Sequence, residues 1–189
     1  MTDERPAVVD WTLRLEETAA LDGAIESVRP TITNVFGSGR RAAVLRGDWL
    51  GHAVHPLLTD VVLGTWTSAV VLDLCGGKES AAAAQRLVGI GLLAAAPTAW
   101  TGWAEWSAAG QREQRVGLVH AVSNAAAIGL YAASWSARRG GRRQLGTGLA
   151  LVGAAALSLG GYLGSHLSIG RKLGSRDPAY ADSADASGS

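Results

Sequence analysis

Four long stretches of the sequence contain no Asp, Glu, Lys or Arg, and they constrain the fold more than any other feature. They cover residues 61–72, 87–104, 116–137 and 144–170. Each stretch, with its flanks, approaches the ~20 residues that an α-helix needs to cross about 30 Å of hydrocarbon. The loops between them are short and rich in arginine, glutamate and glycine. We therefore predict an all-α, integral membrane four-helix bundle; a soluble helical core rich in alanine and glycine is the alternative.

Residues 1–46 are too polar to span a membrane and form a separate amino-terminal segment. Apolar residues recur at helical spacing from Trp11 to Val28, while carboxylates such as Glu16 fall on the other faces. We predict an amphipathic, interfacial helix that ends at Pro30. Packing on the bundle end, or on a second copy of the chain, is the alternative. The four-helix transmembrane domain then covers residues 47–170, and residues 171–189 are expected to form a disordered tail.

The histidines of the sequence fall on one side of the predicted bundle. Pro56 is expected to start the first spanning helix, because proline suits the first helical position and disfavours helical backbone at the residue before it. The other spans are predicted over about residues 81–103, 116–135 and 145–169. Four spans put the starts of helices one and three beside the ends of helices two and four. The ionisable candidates on that side are His52, His55, Asp60, His120 and His166.

This set of residues is the candidate site. Ionisable groups inside spans are rare and usually face the bundle interior, because a lipid-facing carboxylate costs ~2.5–3.5 kcal/mol on insertion scales. Histidines from different helices could hold a b-type haem, with glycines of the fourth helix making room for the ring and arginines such as Arg171 near its propionates. The same histidines could ligate zinc, iron or copper, with Asp60 as a further ligand or as an orienting group.

The histidines also have interpretations without a cofactor. They could serve proton or quinone chemistry, or they could only form hydrogen bonds between helix ends. The sequence contains no recognisable nucleophile–base pair and no phosphate-binding glycine loop, so no enzymatic reaction is predicted. A net charge of +1 without a basic stripe argues against a nucleic-acid partner. The single cysteine, Cys75, excludes an intrachain disulfide.

Several segments of the chain resemble a known family. A bacterial family of predicted four-helix membrane proteins, filed as a domain of unknown function, shows segments similar to "GDWLGHAVHPLLTD", "AAQRLVGIGLLAAAPTAWTGWAEW", "RVGLVHAVSNAAAIGLYAASW" and "GGYLGSHLS", in that order. The resemblance covers residue 47 to about residue 170 and implies four membrane helices without an assigned reaction. Actinobacterial members are often joined to a Rieske-type iron–sulfur domain, which implies a redox setting. This chain lacks the Cys–His boxes of such a domain, and many members carry an acidic residue at the position of His166.

These features predict a multi-pass protein of the bacterial inner membrane that binds haem b or a transition metal through histidines at one membrane face. The alternative is a cofactor-free structural anchor or interaction module for a Rieske-type or other redox protein. Contact with the lipid bilayer is expected in both cases, and the chain could form a homodimer. Both termini are expected inside the cell, because a polar segment of about 45 residues is hard to move across a membrane without a cleaved signal. The compact "RRGGRR" loop argues for the opposite orientation, which stays the alternative.

Overall fold

The chain folds into helices joined by short loops, and the computed structural model describes residues 5–180. The α-helices of this part are, in chain order, α1 (Ala7–Glu16), α2 (Asp22–Phe36), α3 (Gly39–Arg46), α4 (His55–Cys75), α5 (Ala81–Ala108), α6 (Gln111–Arg139) and α7 (Arg143–Ser165). A π-helical turn, His166–Gly170, extends α7. Shorter 3-10 turns cover Ala19–Leu21, Asp48–Leu50 and Pro178–Tyr180. Residues 5–180 form no strand, and the predicted all-α class is confirmed.

Four of these helices are long and apolar enough to cross a membrane. They are His55–Cys75, Ala81–Ala108, Gln111–Arg139 and Arg143–Gly170, of 21 to 29 residues. They match the four predicted spans in number and position. The helices extend past the predicted ends into polar sequence, because charged side chains at a helix end can reach the headgroup region and water while the backbone remains helical.

The chain divides into two compact units. Of the described residues, 5–54, 101–120 and 162–180 belong to the first unit, and 55–100 and 121–161 belong to the second. The helices α5, α6 and α7 contribute residues to both units, whereas α1, α2 and α3 belong wholly to the first.

The core of the second unit is built around Trp66 of α4. Its indole ring stacks on Tyr131 of α6, with 3.9 Å between ring centroids and 14° between ring planes. The indole Nε1 donates a hydrogen bond to the Val88 carbonyl oxygen of α5, 3.2 Å away. Gly91 makes room for this ring, since a Cβ there would lie only 2.7 Å from Thr65 Oγ1 and closer still to the indole. The glycine therefore lets α4 and α5 approach closely, as small residues do in membrane bundles.

In the first unit, the amino-terminal helices pack on residues of the span ends. Leu15 of α1 packs against the buried Val116 of α6 and Leu163 of α7. Arg115 of α6 donates two hydrogen bonds of 2.7 Å to the carboxylate of Asp22 at the start of α2. Packing on the end of the bundle, the alternative to an interfacial helix, therefore describes α1 and α2 in this unit.

The amino-terminal helix is interrupted, and it does not end at Pro30 as predicted. α1 ends at Glu16, and α2 continues through Pro30 to Phe36. Proline removes the N–H that would bond to the Glu26 carbonyl oxygen, but both residues are exposed, so water can satisfy that carbonyl. The packed face also differs from the prediction, because Thr12 and Glu16 are buried whereas Trp11 is 41% exposed.

The first part of the predicted disordered tail is folded. The N–H of Ala53 donates to the Gly174 carbonyl oxygen at 2.9 Å, and His52 forms an isolated β-bridge with Ser175. The N–H of Arg176 donates to the Gly51 carbonyl oxygen at 3.1 Å. These bonds fix residues 171–180 to the segment that precedes α4. The rest of the predicted tail, 181–189, and residues 1–4 of the amino-terminal segment lie outside the described residues.

Candidate functional site

A buried polar cluster of the first unit joins α1 to the π-helical turn after α7, and we call it the Glu16 cluster (Glu16, His166 and Arg171). The Glu16 side chain is only 3% exposed. Its Oε1 accepts a hydrogen bond from Arg171 Nε at 2.6 Å and lies 2.7 Å from His166 Nε2, and its Oε2 pairs with Arg171 Nη2. A two-pronged guanidinium contact and an imidazole together satisfy a carboxylate that is withdrawn from water.

The π-helical turn after α7 explains how two side chains reach one carboxylate. The N–H of Arg171 donates to the carbonyl oxygen of His166 at 2.9 Å, a bond between residues five apart. This wider turn brings residues five apart close to one another along the helix, whereas an α-helix does so for residues four apart. His166 and Arg171 therefore present their side chains to the same partner.

Electrostatics fixes the charge state of the Glu16 cluster. Burial by itself would raise the pKa of Glu16, but the hydrogen bonds from Arg171 and His166 outweigh burial and hold this pKa below its ordinary value. The hydrogen bond to Glu16 likewise raises the pKa of Arg171 above its ordinary value. At neutral pH the cluster is therefore an ion pair whose carboxylate is satisfied by residues of the chain itself.

A second ionic cluster fixes the folded part of the tail. Arg176 Nη2 donates to Glu105 Oε2 at 2.5 Å, and Arg176 Nε lies 3.0 Å from Asp48 Oδ1. Asp48 also accepts a hydrogen bond of 3.1 Å from Arg46. One guanidinium thus links the end of α5 to the segment between α3 and α4, so these charges serve contacts within the first unit.

His120, on α6, packs against the glycine face of α7. A Cβ built at Gly164 would lie 3.0 Å from His120 Cε1, so the imidazole fills the space that the absent side chain leaves. In the second unit, α6 and α7 pack in the same way. The Asn124 side chain lies against Gly160, and the Tyr131 ring lies against Gly153. Glycines that the sequence suggested for a flat cofactor are therefore contacted by side chains of α6.

The other predicted site residues lie near the start of α4. His52, in the first unit, is exposed, and its Nδ1 lies 3.1 Å from the Ala53 carbonyl oxygen. His55, the first residue of α4 and part of the second unit, has its Nδ1 2.9 Å from the Thr98 carbonyl oxygen of α5. Asp60, also in the second unit, is exposed, although a carboxylate facing the interior was expected from the sequence.

The predicted ligands are thus divided between the units: His55 and Asp60 belong to the second, and His52, His120 and His166 belong to the first. Within residues 5–180, no group of three or more His, Cys, Asp or Glu side chains is arranged to hold a metal ion. The structure instead places one of these residues, His166, next to Glu16, which is not among the predicted ligands. Ligation of haem or of a metal by His52, His55, His120, His166 and Asp60 stays a prediction.

Glu16 is the site residue that the sequence did not reveal. It lies 155 residues before Arg171 and 150 before His166 in the chain, and nothing local marks such a pairing. Thr12, four residues earlier, is buried on the same face. That spacing is the one available signal, but two polar residues at helical spacing fit a solvated face equally well.

The sequence of this chain matches a known protein family. A search of protein families matches residues 51–177 to a family described as "Predicted membrane protein (DUF2231)". The match begins just before α4 and ends beyond the π-helical turn, so it contains all four candidate spans. No curated protein and no solved structure shows a significant match. Because the matched segment covers more than half of the chain, the protein belongs to the DUF2231 family of predicted membrane proteins.

Proposed function

We propose that this protein is a multi-pass protein of the bacterial inner membrane that acts as a structural anchor and interaction module without a cofactor of its own. The observation that carries the proposal is the packing of α6 side chains onto the glycines of α7, with His120 against Gly164. A flat cofactor on this face would have to displace those side chains. The Glu16 cluster adds support, because His166 already serves as the partner of a buried carboxylate.

The partner proposed for this anchor is a soluble redox protein, of Rieske type or another type. The support is the resemblance to relatives that are joined to a Rieske-type domain, together with the amino-terminal helices. In the first unit, the ion pair between Asp22 and Arg115 fixes α2 to α6. α2 also carries exposed polar residues such as Glu26 and Asn34, so it has a face on which the polar rim of an interface with a soluble protein could form. A homodimer is the other proposed assembly, and light scattering of the purified protein measures it.

An absorption spectrum and an elemental analysis of the protein test the anchor proposal. The protein is purified in mild detergent from cells supplied with haem and with zinc, iron and copper salts. We expect no Soret band and metal contents far below one ion per chain. A stoichiometric Soret band, or a stoichiometric metal that is lost in His120→Ala, contradicts the proposal.

The second proposed function is binding of haem b or a transition metal through His52, His55, His120 and His166, with Asp60 for a metal. One observation favours it. The Nδ1 of His55 lies 2.9 Å from the Thr98 carbonyl oxygen, and a backbone carbonyl commonly orients an imidazole that binds a metal. Bound haem would supply one-electron redox chemistry, and these histidines would hold and orient it. The same spectrum and elemental analysis decide between the two functions.

A further inference from the structure

One end of the second unit carries an excess of positive charge, and we call it the basic end. It comprises the α4–α5 turn, the α6–α7 turn and the adjoining ends of the four candidate spans. Its cationic side chains are Lys78, Arg86, Arg138, Arg139, Arg142 and Arg143. Two carboxylates, Asp73 and Glu79, accompany them. Because the spans leave the hydrocarbon at this end, these cations lie in the zone of lipid headgroups.

Asp73 does not neutralise the surface of the basic end. Arg138 Nη1 lies 2.8 Å from Asp73 Oδ1, and the two side chains are 2% and 1% exposed. Asp73 and Arg138 therefore neutralise each other below the surface. Within residues 5–180, no carboxylate forms an ion pair with the exposed cations of the basic end, which are Lys78, Arg86, Arg139 and Arg142. The positive charge of this surface is therefore available to an external anion.

Arg143 and Trp135 hold the parts of the basic end together. Arg143 Nη2 donates a hydrogen bond of 2.6 Å to the Gly77 carbonyl oxygen, which ties the two turns together. The Arg139 guanidinium carbon lies 4.8 Å from the centroid of the Trp135 ring. That ring packs beside Gly89 of α5, where a Cβ would lie 3.0 Å from Trp135 Nε1. A tryptophan at the end of a span, with an arginine over its face, is typical of the membrane interface.

We propose that the basic end binds the phosphate-bearing headgroup of an anionic phospholipid through Lys78, Arg139 and Arg142. Positive side chains next to a span attract anionic headgroups. The neighbouring helix ends also expose Leu74 and Leu145, by 63% and 48%. These side chains offer apolar surface to acyl chains, which a free phosphate ion does not have. The occupant is therefore the lipid.

The test compares lipids bound to the full-length protein in neutral detergent. Native mass spectrometry measures the retention of phosphatidylglycerol and phosphatidylcholine, each with and without excess inorganic phosphate. We expect phosphatidylglycerol to be retained in preference to phosphatidylcholine, and inorganic phosphate to leave it in place. Equal retention of the two lipids overturns the proposal, and so does displacement by inorganic phosphate.

Two variants of equal charge locate the binding surface. Lys78→Gln/Arg139→Gln/Arg142→Gln is expected to lower the preference for phosphatidylglycerol at least about tenfold, because each cation near a membrane contributes a factor of about five. The control Arg14→Gln/Arg40→Gln/Arg112→Gln removes three exposed cations from the first unit and is expected to keep the preference. Equal losses in both variants overturn the proposal.

Circular dichroism checks that both variants keep their helical content. If the triple variant at the basic end does not fold, Lys78→Gln/Arg142→Gln takes its place, since no side-chain hydrogen bond within residues 5–180 involves these two exposed residues. The comparison of the two lipids on the wild-type protein is independent of any variant.

Discussion

Within α1, no basic side chain forms an ion pair with Glu16, so this carboxylate depends on partners from another part of the chain. It is buried, and its partners are the first residue of the π-helical turn, His166, and the residue after that turn, Arg171. A buried carboxylate without partners would be strongly unfavourable, so His166 and Arg171 make the burial of Glu16 tolerable. At the scale of single residues, the docking of α1 therefore requires that His166 and Arg171 stay in place beside Glu16, in addition to the apolar contacts of Leu15.

Replacing Glu16 by Gln is expected to destabilise the protein by about 2 kcal/mol. Breaking a fully buried ion pair costs ~3–5 kcal/mol, but the Arg171 side chain is 34% exposed and water screens part of the loss. The measurement is unfolding in detergent, followed by circular dichroism. Glu17→Gln, at the exposed neighbouring position, is the control and should behave like the wild type. Equal stability of the Glu16 variant and the control contradicts this role of Glu16.

Acidification should weaken the Glu16 cluster. Because the pKa of Glu16 is lower in the folded protein than in the unfolded chain, its contribution to stability is complete above the unfolded pKa, near 4.5, and is lost as the pH falls through the folded pKa. The stability difference between wild type and Glu16→Gln should therefore be constant at neutral pH and shrink below about pH 4.5. Unfolding measured across this range checks it; a difference independent of pH would argue against an ionised Glu16.

At the scale of helices, the sequence predicts the middle of each span well and the contacts between elements poorly. A run without charges is a signal within one segment, so α4 to α7 could be predicted in number and position. The burial of Glu16 could not, because its partners lie more than a hundred positions away in the chain. For the same reason, the histidines could be chosen as candidates while the partner of His166 could not.

The close approach of α4 and α5 yields a prediction for Gly91. Gly91→Ala is expected to destabilise the second unit by about 1–3 kcal/mol, because the added methyl group would overlap Trp66 and Thr65. Gly129→Ala in α6 is the matched control, since a Cβ there meets no atom within 4 Å. Unfolding midpoints of the two variants in detergent provide the measurement. Should both glycines tolerate alanine equally, close packing at Gly91 would not limit stability.

At the scale of the whole molecule, the number of candidate spans determines whether the two termini lie on the same side of the membrane. An even number of crossings returns the chain to the side from which it started, so both termini should lie on one side, and we expect the cytoplasm. Reporter fusions check this, with alkaline phosphatase active only outside the cytoplasm and green fluorescent protein fluorescent only inside it. The two ends should give the same cytoplasmic pattern. Opposite patterns would require an odd number of spans.

The distance along the chain between the members of the Glu16 cluster has a consequence for biogenesis. A ribosome releases Glu16 well before His166, which lies near the end of the last candidate span, and Arg171, which directly follows that span. While the earlier spans are inserted, the carboxylate has neither partner and is kept in water by its hydration. Docking of α1 is therefore a late step of synthesis. Nascent chains arrested before α7 should leave α1 open to proteases, whereas completed chains should protect it.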